Sequence, residues 1–166
     1  MKKTKKGCVN KKSKTKILVV DDHPIVRDGL AELLNHESDL VVNAKAGNAA
    51  EATKAVKKQP IDLALVDMLL KNTTGDKVIK KIKAICPNLI VLVFSMSDEI
   101  VYVKQAFEAG ARGYILKDEL SEKIIDAIRQ VLEGKIYLSK RLAKKCPKHE
   151  LIKFLAYNSK KNTKQV

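Results

Sequence analysis

No segment of this 166-residue chain approaches the ~20 consecutive apolar side chains that a membrane-spanning helix requires. The lysine-rich start is not followed by the short apolar stretch and small-residue cleavage site of a secretory signal. Cysteine is scarce: Cys8, Cys86 and Cys146 are odd in number and far apart, which suits neither a disulfide framework nor a zinc site. Internal repeats are absent, and no low-complexity segment lies outside the two ends. These absences argue against membrane proteins, disulfide-stapled scaffolds, zinc modules and repeat arrays. They fit a chain that works in a reducing cytoplasm, away from membranes, where Cys86 serves as a small core hydrophobe. What is present, 45% hydrophobic and 31% charged residues, is the composition of one globular domain.

Acidic residues are also lacking, but only locally. Residues 1–16 contain eight lysines and no acid, and residues 135–166 contain ten basic residues against Glu150 alone. Removing the +8 and +9 of these ends from the net charge of +14 leaves −3 for residues 17–134. The basicity belongs to the ends. Residues 1–15 read as a disordered, solvated basic tail, with weak nonspecific attraction to polyanions as a secondary property.

Between the ends, short β-branched runs alternate with helical patterns. The runs are KILVV (16–20), DLVVNA (39–44), IDLALV (61–66), NLIVLVF (88–94) and ARGYIL (111–116). Most are nearly continuous in apolar residues, as expected of strands buried on both faces. Apolar spacings of three and four predict helices over 24–35, 48–58, 75–85, 98–109 and 119–133. Pro24 suits a first helical turn and Asn48 a cap, while Gly110 and Gly134 stand where helices should end. Five β-α units imply an α/β protein with a parallel sheet covered on both faces.

In such a sheet the functional crevice lies at the carboxyl ends of the strands. The first strand ends in Asp21-Asp22, the third in Asp67, the fourth in Ser95 and the fifth in Lys117. A single polar residue there is unremarkable, but three carboxylates, a hydroxyl and an ammonium converging on one edge are hard to explain as solvated charges. Clustered carboxylates repel one another, and a hard divalent cation relieves that repulsion. Mg²⁺ also accepts phosphoryl oxygens, which would leave one carboxylate free to attack phosphorus. Lys117 would supply a second positive charge and Ser95 a hydrogen bond. Phosphoryl transfer asks for little beyond such positioning and neutralisation.

The strings ILVVDDHPIVRDGL (17–30), DLALVD (62–67), FS (94–95) and ARGYILK (111–117) resemble the receiver domain of two-component response regulators. The Asp-Asp-His-Pro start and the Lys117-Asp118 pair resemble its NarL/FixJ (LuxR-type) branch. The resemblance implies a flavodoxin-like (CheY-like), doubly wound five-stranded sheet of order 2-1-3-4-5, with residues 16–134 as the receiver. It implies Asp67 as phosphoacceptor, with Asp22 and the Leu69 backbone carbonyl as Mg²⁺ ligands and Asp21 as a ligand through water. Ser95 and Lys117 would assist the transfer. Ser95 and Tyr114 would form the switch, Tyr114 following Ser95 inward on phosphorylation. The implied upstream partner is a histidine kinase or histidine phosphotransfer protein. Homodimerisation on phosphorylation is implied as well, with transcription regulation as the family output and signalling in place of enzymatic turnover. His23 belongs to the signature with a structural role, and His36 and His149 have none.

Lys71 stands where the family has proline, so the loop after Asp67 is expected to be more mobile. Leu69 and Met96 are expected to crowd the approach of water to phosphorus and to slow loss of the phosphoryl group. Residues 135–166 read as a basic linker and helical tail. PKHELIKFLA (147–156) resembles at most the start of a helix-turn-helix, so this chain alone is not expected to bind DNA sequence-specifically. A plainer reading is a basic amphipathic helix that packs Leu151, Ile152, Phe154 and Leu155 on the receiver. Two alternatives to the phosphoacceptor remain. One is a Mg²⁺-dependent aspartyl-phosphate phosphatase, although Leu69 stands where such enzymes carry a general acid. The other is an unphosphorylated receiver-like interaction module.

Overall fold

A computed structural model describes residues 13–119, 121–153 and 156. Residues 1–12 of the expected tail, and Phe154 and Leu155, lie outside the described residues. The elements alternate as β1 (Thr15–Val20), α1 (Pro24–Asn35), β2 (Leu40–Ala46), α2 (Ala49–Lys58), β3 (Leu63–Val66), β4 (Leu69–Leu70), β5 (Thr73–Thr74), α3 (Gly75–Ile85), β6 (Ile90–Ser95), α4 (Ile100–Ala109), β7 (Gly113–Leu116), α5 (Ser121–Leu132), β8 (Tyr137–Leu138) and α6 (Lys140–Lys145).

The order β2-β1-β3-β6-β7 realises the expected 2-1-3-4-5 arrangement, and every pairing in it is parallel. The count of five strands needs correction, because β8 adds a sixth by pairing parallel to β7. Only two residues of β8 join the ladder, too few to show a strand period in the sequence. The β4–β5 hairpin forms a separate two-stranded sheet.

Side chains alternate across the sheet and divide the core in two. On one face Leu18, Val20, Ala64, Val66, Val91, Val93 and Tyr114 meet α2, α3 and α4. On the other, Ile17, Val19, Leu63, Leu65, Leu92, Phe94 and Ile115 meet α1 and α5. The strands are apolar in sequence because both faces are covered.

Local signals set the helix limits. Pro24 opens α1. The Asn48 side chain accepts from Glu51 N (2.9 Å), and the Glu51 carboxylate accepts from Gly47 N (2.6 Å), a reciprocal cap for α2. Gly110 ends α4 at φ 107°, where a side chain would be strained.

The packed core continues past Gly134. Leu138, Leu142, Cys146 and Leu151 are all buried in the cluster that holds α4. Ile152, by contrast, is half exposed. The segment after α5 therefore turns over the β7 edge and lies on the sheet face occupied by α4.

Truncating a buried leucine removes its burial and leaves a cavity. Leu142→Ala should therefore lower unfolding free energy by about 2–5 kcal/mol. Lys144→Ala, on the exposed side of the same helix, should change it by less than ~0.5 kcal/mol. Urea denaturation of both variants checks this; equal stability would mean that α6 is not part of the folded core.

Candidate functional site

All five chemically distinctive positions reach the same sheet edge. Asp21 and Asp22 follow β1, Asp67 follows β3, Ser95 closes β6 and Lys117 follows β7. Asp21, Asp67 and Ser95 are buried, and the Lys117 side chain is nearly so.

Lys117 Nζ donates to Asp21 Oδ2 at 2.5 Å and to Asp67 Oδ2 at 2.7 Å. The ammonium also lies 5.7 Å from the Phe94 ring centroid, close enough for a cation–π contribution. Burial alone would lower the Lys117 pKa, but the Asp21 and Asp67 carboxylates outweigh it and raise it. For Asp67 burial is the largest influence and raises the carboxyl above its ordinary range, against the opposing pull of Lys117.

The remaining carboxylate oxygens are unequally used. Asp21 Oδ1 accepts from His23 N (2.8 Å) and Asp67 Oδ1 from Leu69 N (3.1 Å). Asp22 Oδ2 accepts from Lys71 N (3.0 Å). Asp22 Oδ1 is buried and accepts no hydrogen bond. His23 Nδ1 stands 2.9 Å from it, an ion-pair distance if the ring is protonated, but without hydrogen-bond geometry. A buried oxygen without a donor is costly and marks a place for a cation. Ligand-capable atoms of Asp21, Asp22, His23 and Asp67 lie within 4.8 Å of one another. The carboxylate oxygens suit a hard divalent ion, whereas the imidazole does not. His23, read from sequence as structural, thus borders the acid cluster with its ring 60% exposed.

The segment after Asp67 forms the β4–β5 hairpin, bonded to Asp22 through Lys71 N. A proline at position 71 would have no N–H for this bond. The Leu69 and Met96 side chains, two residues after Asp67 and one after Ser95, are 41% and 68% exposed.

Tyr114 is already inward: it is fully buried, and its hydroxyl donates to Ser97 O at 2.9 Å. Burial pushes the phenol pKa up to about 12. Ser97 N in turn donates to Ser95 Oγ (3.3 Å), so Ser97 links the two expected switch residues. Sequence gave no sign of that bridge, because Ser97 donates and accepts through its backbone. Arg27, whose guanidinium donates to the Asp21 carbonyl, was also missed. So was Gly75, where a Cβ would lie 2.5 Å from the Asp67 carbonyl oxygen. Its only signal was a glycine at the end of an irregular loop.

The chain matches the response regulator receiver domain model over residues 17–129. It is 33% identical over 123 residues to the uncharacterized transcriptional regulatory protein YxjL of Bacillus subtilis, covering 74% of this chain and 56% of the relative. A two-component response regulator of the LuxR family from Aurantimonas superposes with a TM-score of 0.78 at 29% identity, over 84% of this chain and 99% of that one. The signal receiver domain of the putative response regulator NarL from Mycobacterium tuberculosis superposes with a TM-score of 0.70 at 30% identity, over 75% and 100%. The chain belongs to the response-regulator receiver family, and its relatives are two-component regulators of the NarL/LuxR type. It spans a little over half the length of the curated relatives it matches, 56% to 59%.

A buried acid with a raised pKa stabilises the fold only while it is protonated. That contribution is complete below the unfolded-state value near 4 and is lost as pH rises through the folded-state value. Asp67→Asn removes the loss. In Mg²⁺-free buffer the variant should be more stable than wild type at neutral pH, with the gap narrowing as pH falls towards about 4. Urea denaturation across that range tests the sign, and a variant less stable at every pH would contradict it.

Proposed function

We propose that the protein accepts a phosphoryl group on Asp67 from a histidine kinase or histidine phosphotransfer partner and passes the change to a regulatory output. The observation that carries this reading is the setting of Asp67: buried, bonded to Lys117 and adjacent to the unpaired Asp22 oxygen. An Asp67 carboxylate oxygen attacks phosphorus in line. The P–N bond to the donor imidazole breaks, its electron pair stays on nitrogen, and an acyl phosphate forms on Asp67. Lys117 holds the carboxylate in place and supplies positive charge to the transferring group, while the Ser95 hydroxyl would bond a phosphoryl oxygen.

The acid cluster fits Mg²⁺, which when bound would neutralise carboxylate and phosphoryl charge. Asp22 would be a direct ligand, since it alone retains a free oxygen, together with Asp67 and the Leu69 carbonyl. Asp21, with both oxygens engaged, would act through water. Because Tyr114 is already inward, we take the switch to be a change in the Ser95–Ser97–Tyr114 chain of bonds in place of inward travel of the ring. Homodimerisation on phosphorylation and transcriptional control remain part of the proposal, the latter by analogy with relatives such as YxjL. The Leu69 side chain offers no proton for turnover, which favours a stored phosphoryl group over a phosphatase.

With acetyl phosphate and Mg²⁺, the wild type should gain one phosphoryl group, read by intact mass and phosphate-affinity gel. Asp67→Asn should gain none; labelling of that variant at the normal rate would move the acceptor elsewhere. Asp22→Asn should require roughly ten times more Mg²⁺ for half-maximal loading, as one charged ligand is lost. An unchanged Mg²⁺ requirement would exclude Asp22 from the metal site.

A further inference from the structure

The segment after α5 reaches the site from outside the residues that match the receiver model, which end at 129. Strand β8 pairs with β7 only through Gly113↔Tyr137 and Tyr114↔Leu138, so its ladder stops before β7 does. Ser139 then completes it by other means. Its N–H donates to the Tyr114 carbonyl (3.2 Å), and its side-chain hydroxyl accepts from Leu116 N (3.1 Å). Ser139 is fully buried, as is nearly all of Leu116, so no water can replace that acceptor.

The next residue is Lys117, whose own N–H donates to the Ser95 carbonyl (2.9 Å) and whose ammonium bonds Asp21 and Asp67. Helix α6, which begins directly after Ser139, grips the two neighbouring loops. Arg141 bonds Asp118 (3.0 Å), one residue past Lys117, and pairs with Asp98 (3.4 Å), three past Ser95. Lys145 pairs with Asp98 as well (2.7 Å). Leu142, Cys146 and Leu151 are buried and hold this segment in place.

We infer that Ser139 and Arg141 are positioning residues for phosphoryl acceptance, fixing the backbone on either side of Lys117 so that its ammonium meets Asp67. This rests on the receiver reading above and adds a second segment to the machinery. A long flexible lysine side chain delivers charge to one point only if its root is fixed. β7 alone leaves that root on the open edge of a five-stranded sheet, and Ser139 closes the edge where Lys117 begins. Tyr114, bonded to Ser139 through its carbonyl, is steadied by the same contact.

The test measures acetyl phosphate loading of the full chain at saturating Mg²⁺, with Mg²⁺ half-saturation and thermal midpoint measured alongside. Ser139→Ala should load about three- to tenfold more slowly, since a small misplacement of a catalytic group is enough to cost that much. Its Mg²⁺ half-saturation should stay that of wild type, because the carboxylates are untouched. Ser139→Thr, which keeps the hydroxyl, should recover most of the rate. Arg141→Ala, an exposed change with little effect on folding, should slow loading in the same direction. Leu30→Ala, on the buried face of α1, serves as a destabilised control that should load normally. Wild-type loading by both Ser139→Ala and Arg141→Ala would overturn the proposal. So would an equal slowing in Leu30→Ala at matched loss of stability, which would reduce Ser139 to a folding residue. If wild type takes up no more phosphoryl than Asp67→Asn, the receiver reading itself fails and this inference falls with it. That outcome is distinct, because there is then no wild-type rate for Ser139 to change.

Discussion

A single ammonium makes the acidic edge of this protein possible. Lys117 brings one positive charge to a pocket where Asp21 and Asp67 are almost wholly buried, and it bonds both. Without it two desolvated carboxylates would face each other, and one would have to take a proton. Its single charge cannot balance three acids, however. Asp22 keeps an oxygen with no donor, and Asp67 stays above its ordinary pKa despite the contact. The site is thus held together and left incompletely neutralised, a combination that suits a hard cation. Its chemical readiness comes from that residual imbalance.

The sheet is what brings these groups together. Asp21, Asp67, Ser95 and Lys117 come from four parallel strands, so their side chains gather at one edge although 96 positions separate the first from the last. Backbone bonds set the depth of each: Asp67 N donates to Val20 O (2.8 Å) and Lys117 N to Ser95 O (2.9 Å). The buried hydrophobic faces make this register expensive to shift, because a slip of one residue would turn every strand side chain to the opposite core. Rigid strands below and short loops above give the precision that charge placement demands.

Around that edge three contacts tie loops to their neighbours. Lys71 supplies an N–H to Asp22 and ties the β4–β5 hairpin to the end of β1. Ser97 connects Ser95 to a tyrosine that is already packed inward. The β8–α6 segment covers the β7 edge and ties down the loops beyond Ser95 and Lys117 through Arg141 and Lys145. Each is a contact between a loop and a neighbouring element. Among the described residues no helix is long and apolar enough to cross a membrane.

Much of this was legible in the sequence for one physical reason: strands buried on both faces must be apolar along their length. The runs ending at Asp21, Asp67, Ser95 and Lys117 declare a parallel sheet, and such a sheet places its strand ends together. Helix limits were equally readable at Pro24, Asn48 and Gly110, where the signal is local to a turn of backbone. What the sequence left silent depended on contacts between distant segments. The two-residue strand β8 has no period of its own and exists because β7 offers an open edge. Ser139 looks like any polar linker residue until burial leaves Leu116 N with no other acceptor. Tyr114 could have faced in or out, and only the space beside α4 and the Ser97 carbonyl put it inside. The sequence by itself therefore determined which chemical groups meet, because apolar runs buried on both faces make a parallel sheet and such a sheet gathers the ends of its strands at one edge. Tertiary structure alone decided how tightly they are held, because that depends on hydrogen bonds and ion pairs that close only when remote parts of the chain are packed together.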